Sequence, residues 1–242
     1  NEQQQLYTVT LDGGAVPMDH DFELVWQPTR SAAPRAMTFT ETIDGKPYFL
    51  VMLMPPDQPQ TSAPTLPREV IFIIDTSGSM HGVSIAQAKR ALHVALDGLQ
   101  ANDLFNVIEF NSATRALFRN SMAADSARIA EAQDFVRRLD ANAGTEMRPA
   151  LTRALREPPR ETHLRQVVFI TDGSVAYEDE MFSMIESDLG NARLFTVGIG
   201  SAPNSYFMRK AAQFGRGTFT HIGDVNEVQD KMTELFGKPS AM

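Results

Sequence analysis

Cysteine is absent from all 242 residues of this chain. Disulfides, thiolate metal sites and cysteine nucleophiles are excluded together. The absence leaves the compartment open, because cysteine-free chains occur on both sides of bacterial membranes. Positive charge is in deficit: 22 Lys and Arg stand against 30 Asp and Glu, a net charge of −8. No Lys/Arg-rich cluster interrupts the sequence, so a nucleic-acid surface is not expected. No apolar run approaches the roughly eighteen residues that a membrane span needs. The five histidines show neither H-E-x-x-H nor paired zinc spacing. The phosphate-cradling patterns G-x-x-x-x-G-K-[ST] and G-x-G-x-x-G are missing too. Trp26 is the single tryptophan and reads, like the methionines, as a packing group. The first residue is Asn and no signal-peptide pattern follows it, so the chain is expected to be an excised or processed fragment.

What is present describes a globular chain able to bury one large core, or one domain plus an extension, with 43% hydrophobic and 21% charged residues. The run Val70-Ile71-Phe72-Ile73-Ile74 is too continuous for a half-exposed strand and predicts one buried on both faces. It ends in Asp75-Thr76-Ser77-Gly78-Ser79, a D-x-S-x-S pattern. Ligands of open α/β sheets bind beyond the carboxyl ends of such strands. One carboxylate and two hydroxyls there are hard oxygen donors, suited to Mg²⁺ or a similar divalent cation. A second buried run, Val167 to Thr171, ends in Asp172-Gly173, and between the two Gly144-Thr145-Glu146 opens a helical segment with a third hydroxyl.

From residue 68 onward strands and helices alternate, which predicts a doubly wound, Rossmann-like α/β fold with a mostly parallel central sheet flanked by helices. Ser84 with Gln87 three residues on has the pattern of a capping box for the first helix. Ile85, Ala88, Leu92, Ala95, Leu96 and Leu99 fall on one face of that helix. Residues 1–54 read as a β-rich extension, with strand candidates at Phe22–Trp26, Met37–Thr42 and Pro47–Met54, the last two joined through Asp44-Gly45 as a hairpin. Phe39, Tyr48, Phe49, Leu50, Val51 and Met52 are expected to pack against the rest of the chain or its own early strands. Residues 55–67 are dense in proline and predict an extended connector.

D-x-S-x-S, a loop Thr and T-D-G, in this order and these contexts, resemble the metal-ion-dependent adhesion site of von Willebrand factor A domains. The resemblance spans roughly residues 65–238, and residues 68–238 are taken as the domain. The neighbouring text is similar to inter-α-trypsin inhibitor heavy chains, and to bacterial sortase-target surface proteins in which such a domain follows a VIT domain. Residues 1–54 would then be the tail of a VIT-type domain. The resemblance implies a metal site formed by Asp75, Ser77, Ser79, Thr145 and Asp172, holding Mg²⁺, with Mn²⁺ or Ca²⁺ as alternatives. With neutral hydroxyls innermost, the cation keeps affinity for an outside carboxylate, so the implied partner is a protein presenting Asp or Glu. It also implies a non-enzymatic adhesion module at a bacterial cell surface or outside the cell. Oligomeric state is left open.

Blander readings exist for each residue. Asp75 and Ser77 alone would suit a strand-end turn bonding local amides. Glu178, Asp179 and Glu180 suit a helix N-terminus better than a metal rim, Glu146 is as ordinary in a first turn, and His81 suits a solvated loop. The alternative function is a Mg²⁺-dependent phosphohydrolase of haloacid-dehalogenase type, which also starts from a strand-end Asp. That chemistry wants a second Asp two residues later, where this chain has Ser77, and a downstream acidic pair, where Asp172 is followed by Gly173-Ser174.

Overall fold

Residues 34–54, 66–158, 160–173 and 178–237 are described in a computed structural model of the chain. The chain divides into two compact units, Asn1–Ala63 and Pro64–Met242. The strand expected at Phe22–Trp26 and the connector residues 55–65 lie outside the described residues.

In the first unit β1 (Arg35–Ile43) and β2 (Lys46–Met54) pair antiparallel, with Ile43 opposite Lys46. The two residues between them, Asp44 and Gly45, have φ of 52° and 75°. Positive φ at both positions matches the right-handed twist of the strands, which is why Asp-Gly closes this hairpin. The expected burial of its apolar residues is not found: Phe49 is 69% and Leu53 73% exposed, and only Met37, Met52 and Met54 are half-buried. The strands carry apolar residues on both faces, and among the described residues of this unit they pair only with each other; the early strand expected to pack on them lies outside the described residues.

The second unit is built on β3 (Arg68–Asp75), which pairs in parallel with β4 (Leu104–Phe110) on one side and β7 (Leu164–Thr171) on the other. β5 (Thr114–Ala116) and β6 (Met122–Ala123) both run antiparallel to β4, while β8 (Arg193–Ile199) and β9 (Phe219–Ile222) extend the parallel side. The sheet order is β5-β4-β3-β7-β8-β9. The expected mostly parallel sheet flanked by helices is therefore present.

Because side chains alternate along a strand, the buried run of β3 divides between two cores. Val70, Phe72 and Ile74 meet α1 (Val83–Asp97), α2 (Ser126–Arg137) and α6 (Val228–Gly237). Ile71 and Ile73 meet α3 (Met147–Arg156), α4 (Glu178–Asp188) and α5 (Ser205–Phe214). Every buried side chain among the described residues lies between Glu69 and Met232. The apolar stripe of α1 is borne out, with Ala88, Leu92, Ala95 and Leu96 fully buried. Its capping box is not. The N-cap is Gly82, at φ 82°, and no side chain caps the helix. A backbone turn that glycine adopts freely starts the helix ahead of Ser84.

The chain leaves β3 for β4 on one side, then returns past β3 to β7 on the other. The carboxyl ends of β3 and β7 are thus a topological switch point, the place where open α/β sheets leave a crevice.

Candidate metal centre

The loop after β3 and the end of β7 meet at this crevice. Asp75 is fully buried, and its Oδ1 accepts the Ser77 N–H at 2.8 Å. Its Oδ2 accepts the Thr171 hydroxyl at 2.5 Å, and Thr171 Oγ1 in turn accepts the Gly173 N–H at 3.0 Å. Gly173 has φ 74°, and a Cβ there would lie 3.1 Å from Asn204 Cβ. Only glycine turns the chain there without strain, carrying it past Asp172, whose carbonyl accepts the Asn204 N–H at 3.0 Å.

Burial pushes the Asp75 carboxyl above the ordinary carboxylate range; the hydrogen bonds from Thr171 and Ser77 oppose this, and the charge of Asp172 adds to it. A buried carboxylate with a second acid nearby and hydroxyls around it is relieved by a cation. Ser77 Oγ and Ser79 Oγ lie 3.1 Å apart. Ser77 is buried, Asp172 half-buried, and Ser79 and Thr145 exposed, so the group grades from the protein interior to solvent.

Thr145 comes to this place through its loop. Asn142 N–H donates to Thr76 O at 2.8 Å, Gly78 N–H to Ala143 O at 3.0 Å, and Glu146 N–H to Asn111 O at 2.7 Å. Gly144 N–H donates to Ser112 Oγ at 2.8 Å. These bonds tie the residues flanking Thr145 to the D-x-S-x-S loop and to the β4–β5 turn. Ala143 takes φ 64°, a left-handed conformation that the surrounding bonds hold in place.

Behind the loop lies a network that sequence reasoning missed. Thr76 Oγ1 lies 3.2 Å from Glu109 Oε1, which it can donate to, and 3.1 Å from Phe110 O. Arg115 Nε and Nη2 grip Glu109 Oε2 at 2.8 and 2.6 Å, with the guanidinium over the Phe135 ring at 4.7 Å. Thr171 was missed as well, although a hydroxyl immediately before Asp172 was visible in the sequence.

His81 is exposed and its N–H closes the 3-10 turn on Gly78 O at 3.2 Å. Glu146 is the N-cap residue of α3 without a side-chain cap bond. Glu178, Asp179 and Glu180 form the first turn of α4, and Glu178 accepts a hydrogen bond from Asn204 Nδ2 at 2.7 Å. Among the described residues no three His, Asp or Glu side chains gather as a metal cage. The donor set that does gather, carboxylate plus hydroxyls, is the one that oxygen-seeking Mg²⁺ accepts, with water in its remaining positions.

Residues 68–221 match the family model for the von Willebrand factor type A domain. The chain belongs to this family. A von Willebrand factor A domain-containing protein of Dictyostelium discoideum is 30% identical over 168 residues, 69% of this chain but 18% of that protein. Inter-alpha-trypsin inhibitor heavy chain H2 of Sus scrofa is 25% identical over 208 residues, 80% of this chain and 22% of its own. The chain thus spans about a fifth of the length of these relatives. Among solved structures, a von Willebrand factor type A protein from Catenulispora acidiphila superimposes with a TM-score of 0.68 at 23% identity, covering 89% of this chain and 52% of that one. Manganese-loaded TRAP protein of Plasmodium vivax does so with a TM-score of 0.55 at 20% identity, covering 84% and 78%. The A domain here keeps the central sheet of that fold and sets its D-x-S-x-S loop at the switch point.

Proposed function

We propose that this A domain is a non-enzymatic interaction module whose binding depends on a divalent cation, Mg²⁺ or in its place Mn²⁺ or Ca²⁺. The observation that carries the reading is Asp75, a fully buried carboxylate facing hydroxyls at the switch point, with Asp172 close enough to raise its pKa. Ser77, Ser79 and Thr145 would offer neutral oxygens, and Asp75 and Asp172 charge, directly or through water. When bound, the cation supplies a positive centre for a carboxylate oxygen from outside. The partner is accordingly a protein presenting Asp or Glu, and the exposed position of Ser79 and Thr145 supports access from solvent.

The manganese in the Plasmodium vivax protein supports a metal in this fold. Phosphoryl transfer through Asp75 has less support, since Ser77 stands where an acid/base carboxylate would be needed. Likeness to heavy chains and the family's frequent place on surfaces support a cell-surface or extracellular setting, and we place the protein in bacteria. No described helix is long and apolar enough to cross a membrane.

The test is capture of an acidic protein ligand on immobilised protein. Binding in Mg²⁺ or Mn²⁺, release in EDTA, and impairment in Ser77→Ala and Thr145→Ala are expected. A ligand held equally well in EDTA and by both variants would show that it does not use this site.

A further inference from the structure

In a chain of net charge −8, arginines collect in one groove along α3. Arg148, Arg153 and Arg156 of α3 and Arg119, from the segment before β6, line a groove of about 710 Å³ together with Pro149 and Met184. One of the four is held by α4, and a second stands at the edge of its reach. Arg156 Nε donates to Asp188 at 2.7 Å, and Arg148 Nη1 stands 3.9 Å from Glu180, at the limit of an ion pair. The others have no acidic partner among the described residues. Arg153 Nη2 instead donates to the carbonyl of Arg119 at 3.0 Å, which anchors these two cationic residues side by side. Glu157 also lines the groove, but its Oε1 is taken by the Ser121 N–H at 3.1 Å.

Cations held together without an anion repel, and each guanidinium is a planar fork that fits a carboxylate through two parallel bonds. Arg148 and Arg153 stand about 7.5 Å apart along the helix axis, at 1.5 Å per residue. That equals about two residues of extended chain, the repeat of side chains on one face of a strand. The apolar stretch between the charges, Pro149 and Met184, suits a chain that carries apolar side chains among its acids. The acidic remainder of the protein repels a long polyanion that would run past the groove, and tolerates a short acidic segment inside it.

We propose that this groove docks an extended acidic protein segment, its carboxylates on Arg119, Arg148 and Arg153 and an apolar side chain over Pro149 and Met184. It shares no residue with the candidate metal centre, so it stands or fails independently of the cation-dependent reading.

The probe is a fluorescein-labelled hexapeptide alternating Glu and Leu, titrated by anisotropy against the whole chain at low salt. Binding is expected, unchanged within twofold by EDTA, weakened at least tenfold in Arg119→Ala/Arg148→Ala, and weakened as NaCl rises. Arg119→Lys/Arg148→Lys, which keeps charge and loses the fork, should fall between. Both positions are exposed, and equal melting temperatures would verify that the variants fold. Absence of binding at millimolar peptide, equal affinity in the alanine variant, or loss of binding in EDTA would each overturn the proposal. So would tighter binding of a sulfated oligosaccharide or of polyphosphate than of the peptide.

Discussion

Ser112 Oγ accepts the backbone N–H of Gly144 at 2.8 Å. This bond joins the β4–β5 turn to the loop that carries Thr145, and a Cβ on Gly144 would lie 2.9 Å from the same oxygen. The hydroxyl and the glycine therefore belong together, and they hold the backbone beside Thr145. If Thr145 is a ligand of the proposed cation, they act as positioning residues for it.

Replacing either should loosen the metal about tenfold or more, the usual effect of losing a group that orients a ligand. Ser112→Ala leaves an amide that water can reach, so its metal-free stability should change little. Gly144→Ala must push the turn away. The readout is the rise in Tm with Mg²⁺, which follows RT ln(1 + [L]/Kd). A rise equal to that of the unsubstituted chain in both variants would remove the positioning role.

Asp75 is fully buried, so its removal touches the fold as well as the metal centre. Asp75→Asn and Asp75→Ala should both abolish the Mg²⁺-dependent rise in Tm. Asp75→Ala should in addition lose about 1–3 kcal/mol without metal, because the Thr171 hydroxyl and Ser77 N–H lose their buried acceptor. Denaturant melts in EDTA separate the two effects. A full Mg²⁺ response in Asp75→Asn would place the cation elsewhere.

At the opposite end of β3 and β7, Arg165 Nε donates to Glu69 Oε2 at 2.9 Å, and the side chains are 7% and 1% exposed. Among the described residues, Glu69 Oε1 has no hydrogen-bond partner. Arg165→Met should cost about 3–5 kcal/mol, since it strands a buried carboxylate, whereas Glu69→Leu/Arg165→Met should cost much less. Urea unfolding of the single and double variants measures this. Equal losses would mean that packing around Arg165, and not charge, sets the cost.

His93, half-buried on α1, has its imidazole pushed below the ordinary value of 6.5 by burial, with Arg137 and Lys89 acting the same way and Asp97 opposing. A histidine whose folded pKa is depressed contributes stability above its unfolded pKa and loses it as pH falls. Stability should therefore decline from pH 7 toward pH 5, and His93→Gln should flatten that decline. Chemical denaturation at a series of pH values tests it; an unchanged slope in the variant would assign the decline to other groups.

Local pattern made much of the fold readable. The continuous apolar runs of β3 and β7 could be satisfied only by burial on both faces; β3 ends at Asp75 and β7 at Thr171, immediately before Asp172. The Asp44-Gly45 turn follows from the two positive φ values it requires. Ser84 misled because a hydroxyl followed by Gln at the right spacing says nothing about the backbone turn at Gly82 that starts the helix instead.

Residue order by itself determined the strand–helix alternation and the D-x-S-x-S loop at the end of β3, because each depends on neighbours within a few positions. Only the tertiary structure decided that Ser112 holds Gly144, 32 positions away, and that Thr171 reaches Asp75 across 96. The sequence contains no basic cluster, yet Arg119 comes to lie beside Arg153, 34 positions on. Contacts of this kind come from sheet order and from the crossing of α3 past the β5–β6 segment. Charge, burial and hydrogen bonding act through space, so partners separated along the chain become visible only when the chain is folded.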